Sequence, residues 1–461
     1  MQAEQPKDSL DNIVRVIAEA GGVAYQVGGC VRDQILGIPN KDIDIEVFHL
    51  DAIGLSRLLS RFGRVNEVGV SFGVIKLQPH RGIEIDFTLP RRESKVGRGH
   101  RGFQVEVDHT MTVAEASLRR DFTMNAIYRN LHDGHLHDPH GGIRDLRNRT
   151  LRATSKHFSE DPLRVLRGMQ FAGRFDAELT TETLEMCRSL SNEYASLAVE
   201  RVWTEWFKWA TKSSRPSKGL FALQDCGWIE HYPELKALQG VQQDPLWHPE
   251  GDVWVHTLHV CDAAARVADR EQLVDEDRAI LMFSALCHDL GKPATTQFME
   301  GRWRSPGHSE AGLPLVESFL SRIGCPRSII EIVLPLVAEH LVYLQAEASP
   351  RTVRRLAVRL GPASIVQLVR LVEADLGGRP PLPDGLPDSV CRLLLQAEFV
   401  NVTRAKPVRI VQGRHLIALG HPPAKWFSDV LEACYQAQLD GLFESEESGI
   451  RFLKQAMQNG T

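Results

Sequence analysis

Apolar and polar residues alternate with a period of two in four short runs, Val23–Val27, Ile43–Val47, Val74–Leu77 and Ile83–Phe87. Alternation of this kind, rich in β-branched residues and bounded by turns, predicts half-buried strands, here gathered into a mixed sheet with flanking helices. From Asp161 onward the apolar spacing turns helical and stays so to the C-terminus, with Gly and Pro marking helix ends, so the remainder is predicted to be all-α. A chain of 461 residues exceeds one ordinary core. Breaks fall at the Ser/Arg/Pro stretch 213–217, the Pro/Trp/His stretch 244–250 and the Gly/Pro stretch 377–383. The expectation is an α+β chain in five parts: an N-terminal extension and first helix over 1–22, a mixed-sheet head over 23–150, a helical neck over 151–243, a second helical domain over 244–380 and a helical tail over 381–461.

The formal net charge of −5 excludes a protein coated in positive charge, yet Arg91, Arg92, Lys95, Arg98 and Arg101 are bunched. Any nucleic-acid contact is therefore a local patch. The eight cysteines lie singly, with no CxxC pair, which favours free buried thiols in a reducing cytosol. The first residues lack an apolar signal segment and no apolar run reaches membrane-spanning length, so a cytoplasmic protein without membrane insertion is expected.

Candidate chemistry begins at Gly28 and Gly29, which close an apolar strand and open a helix. Free backbone N–H groups at such a turn, followed by Arg32, suit a triphosphate, although Gly-Gly between strand and helix also serves simply as a tight turn. Beyond it, Asp42 and Asp44 stand two apart in a β-branched run, so on a strand both project from one face. Adjacent carboxylates repel, a poor structural choice. They are a good choice for Mg²⁺, which takes carboxylates together with substrate phosphate oxygens.

The run Gly28-Gly29-x-Val31-Arg32-Asp33, followed by Lys41-Asp42-x-Asp44, resembles the class II CCA-adding enzyme and bacterial poly(A) polymerase family. Arg119-Arg120-Asp121-Phe122-Thr123-Met124-Asn125-Ala126 resembles that family's ribose-recognising motif, its plain alternative being a helix capped by Asp121. The resemblance implies a nucleotidyltransferase head of the DNA polymerase β type, with Asp42 and Asp44 as catalytic Mg²⁺ ligands. It also implies nucleotide binding by Gly28, Gly29, Arg32, Arg119, Arg120, Asp121, Asn125, Asp161, Arg164 and Arg167. Asp86 is a third strand carboxylate near these, although the family is generally served by two.

Glu160-Asp161-Pro162-Leu163-Arg164 resembles the family's motif for reading the incoming base, while Asp161 is also a good N-cap and Pro162 a good first helical residue. With a helix starting there, Asp161 and Arg164 present an acceptor and a donor side by side. Cytosine and adenine share an exocyclic amine beside a ring-nitrogen acceptor, whereas uracil and guanine offer a carbonyl beside a ring N–H. Asp plus Arg therefore fits C and A, and mispairing leaves buried polar groups unsatisfied. The glycine-rich cationic segment with Arg98, His100 and Arg101 resembles the flexible loop with which family members switch from C to A, and reads otherwise as a solvated surface loop. Glu200-Arg201-Val202-Trp203-x-Glu205 resembles a family helix, with Glu200 and Arg201 bracing the nucleotide pocket and Trp203, Trp206 and Trp209 forming a core stripe.

In the helical half, His256, the pair His288-Asp289, and Asp375 have the order and residue types of an HD-domain metal site, and His308 and His340 complete a second position. Imidazoles with carboxylates suit a divalent transition metal, which acidifies water for attack on a phosphoester. The words around Trp247–Glu250, Val255–Leu258 and Cys287–Lys292 resemble the HD-bearing CCA-adding subgroup, which implies a 2′,3′-cyclic phosphodiesterase or phosphatase activity. The expected function is thus template-independent CCA addition to tRNA from CTP and ATP, with Arg144, Arg147, Arg149 and Arg152 as a patch for tRNA phosphates. Its rivals are an A-adding enzyme or poly(A) polymerase of the same fold, and an HD phosphohydrolase whose head only binds RNA.

Overall fold

A computed structural model describes residues 6–40, 43–69, 73–80, 83–95, 103–344 and 348–458. It forms two compact units, Met1–His231 and Tyr232–Thr461. Asp42 of the proposed catalytic pair and the loop residues Arg98, His100 and Arg101 lie outside the described residues.

The first unit is built on β1 (Val23–Val27), β2 (Asp44–Phe48), β3 (Arg64–Gly69), β4 (Val74–His80), β5 (Ile83–Thr88), β6 (Arg91–Lys95), β7 (Phe103–Val107), β8 (Tyr128–Asn130) and β9 (Leu136–His137). Seven of these make one sheet in the order β3-β4-β5-β2-β1-β8-β9, and β6 pairs with β7 as a separate ribbon. Within the sheet β2 and β5 run parallel and the other pairs antiparallel. The period-two pattern explains the two faces. Ile45, Val47, Ile75, Leu77, Ile85 and Phe87 pack with Ile13 and Ile17 of helix Pro6–Glu19 and with Leu55 and Leu59 of helix Ala52–Leu59. The alternate residues Asp44, Glu46 and Phe48 are left for the other face, where Phe48 joins Tyr25, Val27 and Tyr128.

From Leu163 the same unit departs from the expected all-α pattern only at Glu178–Leu179, a two-residue strand parallel to Thr150–Leu151, and Leu163–Phe175 packs on Val199–Lys212 and Pro216–Asp225. Trp206 and Trp209 are fully buried there, and Trp209 Nε1 donates to the carbonyl of Pro216 at 3.1 Å. The second unit is a stack of helices that includes Val253–Arg270, Asp275–Cys287, His308–Arg322, Arg327–Glu339 and Ile365–Leu376. One hairpin interrupts its helical pattern, Gln297–Met299 against Arg302–Arg304. The cause is local: Glu300 and Gly301 both take positive φ, 51° and 78°, the turn that matches the twist of a two-residue hairpin. No described helix is long and apolar enough to cross a membrane, and all eight cysteines carry free thiols.

Candidate nucleotide and metal sites

Asp44 opens β2 with its side chain exposed, and its register partner on the parallel neighbour β5 is Asp86. The two carboxylates thus share the sheet face opposite the apolar core. Lys76 of β4 stands next in register, with Nζ 3.4 Å from Asp86 and 2.6 Å from Glu84. Exposed oxygen donors with room for water suit a hard cation.

One strand step further in, Glu46 is completely buried on the same face, a residue that alternation alone does not single out. It accepts from Arg119 Nη2, Arg120 Nη2 and the Tyr128 hydroxyl, each at 3.0 Å. Burial opposes its charge, but the two guanidiniums hold its carboxyl below the usual range. Both arginines of the ribose-motif segment are therefore tied to the strand that carries Asp44.

Gly28 turns β1 into helix Gly29–Ile35 at φ 75°, a conformation that favours glycine. Arg32, on that helix, is buried rather than facing solvent. Its Nε donates to Asp33 at 2.8 Å and its Nη1 to Asn125 Oδ1 at 2.6 Å, while its guanidinium lies over the rings of Phe171 and Phe175. Asn125 in turn donates to Asp121 at 2.9 Å, and Asp121 accepts from Arg167 Nε at 2.7 Å. Burial raises the Asp121 carboxyl, yet Arg167, Asn125 and the Phe122 N–H bring it down to about 2. A continuous polar chain, Arg32–Asn125–Asp121–Arg167, thereby links the Gly-Gly helix, the ribose-motif segment and helix Leu163–Phe175.

Asp161 caps that last helix by accepting from the Leu163 N–H at 3.1 Å, and its other oxygen accepts from Arg201 at 2.8 Å. Arg164 donates to the carbonyls of His157 and Arg119, both at 2.6 Å. Both side chains are oriented by neighbours, and Arg201 braces Asp161 while Glu200 is exposed. In the arginine patch, Arg144, Arg147 and Arg149 are exposed, Arg149 pairs with Asp176, and Arg152 donates to buried Asp145 at 3.2 Å.

In the second unit five helical segments bring the imidazoles together. His288 and His340 follow the ends of Asp275–Cys287 and Arg327–Glu339, His308 opens His308–Arg322, and His256 and Asp375 project from Val253–Arg270 and Ile365–Leu376. Three of the histidines are fixed alike: Nδ1 of His288, His308 and His340 lies 2.8, 2.8 and 2.7 Å from the carbonyl three residues back. A carbonyl only accepts, so Nδ1 carries a proton, and in the neutral ring Nε2 is left as the ligand atom. Those Nε2 atoms converge: His256 to His288 at 3.3 Å, and His308 to His340 at 3.2 Å.

Asp289 lies between the two pairs, with Oδ2 3.1 Å from His288 Nε2 and Oδ1 3.3 Å from His308 Nε2. Lys292 Nζ stands 2.7 Å from it, yet neither carboxylate oxygen receives a well-directed hydrogen bond although both are buried. Asp375 Oδ1 is 3.1 Å from His256 Nε2. Among the described residues the arrangement provides three candidate ligand groups: His256-His288-Asp289 and Asp289-His308-His340, which share one carboxylate, and His248-Glu250-His256 beside them. Buried carboxylate oxygens without well-directed donors, set among imidazole nitrogens, fit divalent cations. Burial opposes charge on His256, yet Asp375 and Glu250 raise it to about 9, so a cation there would compete with a proton. Burial and the neighbouring imidazoles push His340 down to about 4, which keeps it neutral and ligand-ready.

Gly291 makes this approach feasible, since a Cβ there would stand 2.0 Å from the carbonyl of His308. Glu250 is a further member that sequence reading passed over except as part of a motif word. Its Oε1 lies 2.7 Å from His256 Nδ1 and 2.9 Å from His248 Nδ1, so it orients His256 from behind.

These features define a nucleotidyltransferase-type head coupled to a helical HD metal domain. Residues 24–152 match the model of the Poly A polymerase head domain and residues 253–374 that of the HD domain. The Multifunctional CCA protein of Xanthomonas campestris pv. campestris (strain B100) is 39% identical over 367 residues, 77% of this chain and 85% of the relative. That of Xylella fastidiosa (strain M23) is 37% identical over 395 residues, 82% and 90% of the two chains. A Bacillus stearothermophilus CCA-adding enzyme solved in complex with CTP superposes with a TM-score of 0.63 at 22% identity, covering 99% of each chain. The chain belongs to the class II CCA-adding enzymes.

Proposed function

We propose that this protein adds CCA to the 3′ ends of tRNA from CTP and ATP without a nucleic-acid template. The observation that carries the reading is the joining, in one unit, of the Asp44 strand to the ribose-motif and base-motif segments through Glu46–Arg119/Arg120 and Arg164–Arg119. Asp42 and Asp44 would hold Mg²⁺, which when bound would supply charge neutralisation at the phosphates. The tRNA 3′-hydroxyl attacks the α-phosphate and pyrophosphate leaves. Gly28 and Gly29 face the phosphates, Arg119, Arg120, Asp121 and Asn125 the ribose, and Asp161 and Arg164 the base. Arg32 and Arg167 act from behind, through Asn125 and Asp121. The parts are a head over 23–150, a neck over 151–243, an HD body over 244–380 and a tail over 381–461, and Arg98, His100 and Arg101 serve the switch from C to A.

The HD centre is a second, phosphoester-hydrolysing site whose His256, His288, Asp289, His308, His340 and Asp375 would hold a divalent transition metal. When bound, the metal acidifies water. Base choice rests on Asp161 and Arg164. Asp161→Ala and Arg164→Ala are expected to lower C and A incorporation by ~10²-fold while leaving U and G nearly unchanged, erasing selectivity. Incorporation of each of the four nucleotides measures this, and unchanged selectivity in both variants would sink the base-reading role.

A further inference from the structure

Beside the HD centre lies a cavity of about 920 Å³ that reaches Asp289, His308, His340 and Asp375 at its floor and Trp247, Trp303 and Leu344 at its apolar rim. Four cations line its wall, Lys292, Arg302, Arg304 and Arg379, and the two that follow Asp289 and Asp375 in the chain, Lys292 and Arg379, differ in kind. Lys292 is engaged, 2.7 Å from Asp289 and 2.8 Å from Gln243. Arg379 lines the same cavity with its Nε buried, and among the described residues its guanidinium has no hydrogen-bond or ion-pair partner.

Its backbone position is tightly determined. The preceding Gly378 presses so closely on helix Val253–Arg270 that a Cβ would stand 2.3 Å from Val260, and the Gly378 carbonyl lies 3.3 Å from His256 Nδ1. Tyr343, on the same wall, feels the negative charge of Asp375 and Asp289 against the positive charge of Arg379. A partly buried guanidinium on the wall of a cavity that also reaches a carboxylate-and-imidazole cluster, with no partner among the described residues, is an anion site in waiting.

We propose that Arg379 is the phosphate-binding residue of the HD centre, its guanidinium taking non-bridging oxygens of a nucleoside phosphate whose base lies against Trp247 and Trp303. The proposal rests on the phosphohydrolase reading of that centre and adds the substrate's anchor. In the hydrolysis served, water adds to phosphorus, the P–O bond to the ribose oxygen breaks, and a proton of that water ends on the ribose oxygen. Arg379 supplies charge to the phosphoryl oxygens and exchanges no proton.

The test uses the full-length protein with metal removed, titrated calorimetrically with AMP, inorganic phosphate and adenosine, for wild type, Arg379→Ala, Arg379→Lys and the control Arg451→Ala, an exposed arginine outside the cavity. Loss of a charge-assisted contact predicts ~10–100-fold weaker AMP and phosphate binding in Arg379→Ala, partial recovery in Arg379→Lys, and no change for adenosine or for Arg451→Ala. In the metal-loaded protein, bound metal stays at the wild-type level while hydrolysis of 2′,3′-cyclic AMP falls, mainly through KM. Phosphate bound equally by Arg379→Ala and wild type would overturn the role, as would an equal loss of adenosine and AMP. Wild type that binds AMP through Arg379 but neither holds metal nor hydrolyses any phosphoester would instead defeat the phosphohydrolase reading alone.

Discussion

Asp44→Asn lowers nucleotide addition at least ~10³-fold while leaving the fold and the HD activity in place. The substitution keeps the shape of an exposed side chain and removes one unit of charge from a position in register with Asp86. Two carboxylates held together without a metal repel each other, so the change in stability stays within ~0.5 kcal/mol, and its sign favours the variant. An amide is a far poorer Mg²⁺ ligand than a carboxylate, and the loss falls on the chemical step because the metal acts on charge that develops there. Single-turnover addition to tRNA, alongside thermal unfolding, separates these effects. A variant that still adds nucleotides at a tenth of the wild-type rate would remove Asp44 from the chemistry, and one that unfolds early would make it structural.

The second large effect lies in the other unit. Asp289→Asn is expected to empty the HD centre, since its two oxygens face the two histidine pairs and no other described residue spans them. The amide turns one acceptor into a donor among imidazoles and strips Lys292 of its counter-charge. Bound metal falls to near zero, phosphoester hydrolysis drops by ~10³-fold or more, and CCA addition stays within about two-fold of wild type. A ligand that binds only the native state raises the unfolding temperature, so metal stabilises wild type and leaves Asp289→Asn unmoved. Metal retained at the wild-type level in the variant would refute the bridging role.

Much of this was legible in the residues. Period-two runs located β1, β2, β4 and β5 because each strand buries one face only, and that same alternation separates Asp44 from Ile45 and Val47. The HD cluster was legible in outline because its residues have the order and types of an HD-domain site and His288-Asp289 closes the apolar helix Asp275–Cys287. Glu46 was not legible, for on a strand it looks like any outward polar residue, and its partners Arg119, Arg120 and Tyr128 arrive 73 or more positions later. Glu250 was hidden for the related reason that its work is done on His256 and not on a ligand. At Arg32 the sequence suggests a residue facing an anion, whereas tertiary packing encloses it with Asp33, Asn125 and two phenylalanines. Local pattern reports which face a residue is on, and partners brought from afar decide what it does there.

The most direct measurement offers the protein tRNA lacking its last three nucleotides, with CTP alone, ATP alone, or both, and sequences the tails. The proposed activity predicts CC with CTP alone, no extension with ATP alone, and CCA followed by termination with both. Extension by ATP alone into an A-only or poly(A) tail, or failure to use CTP, would contradict it.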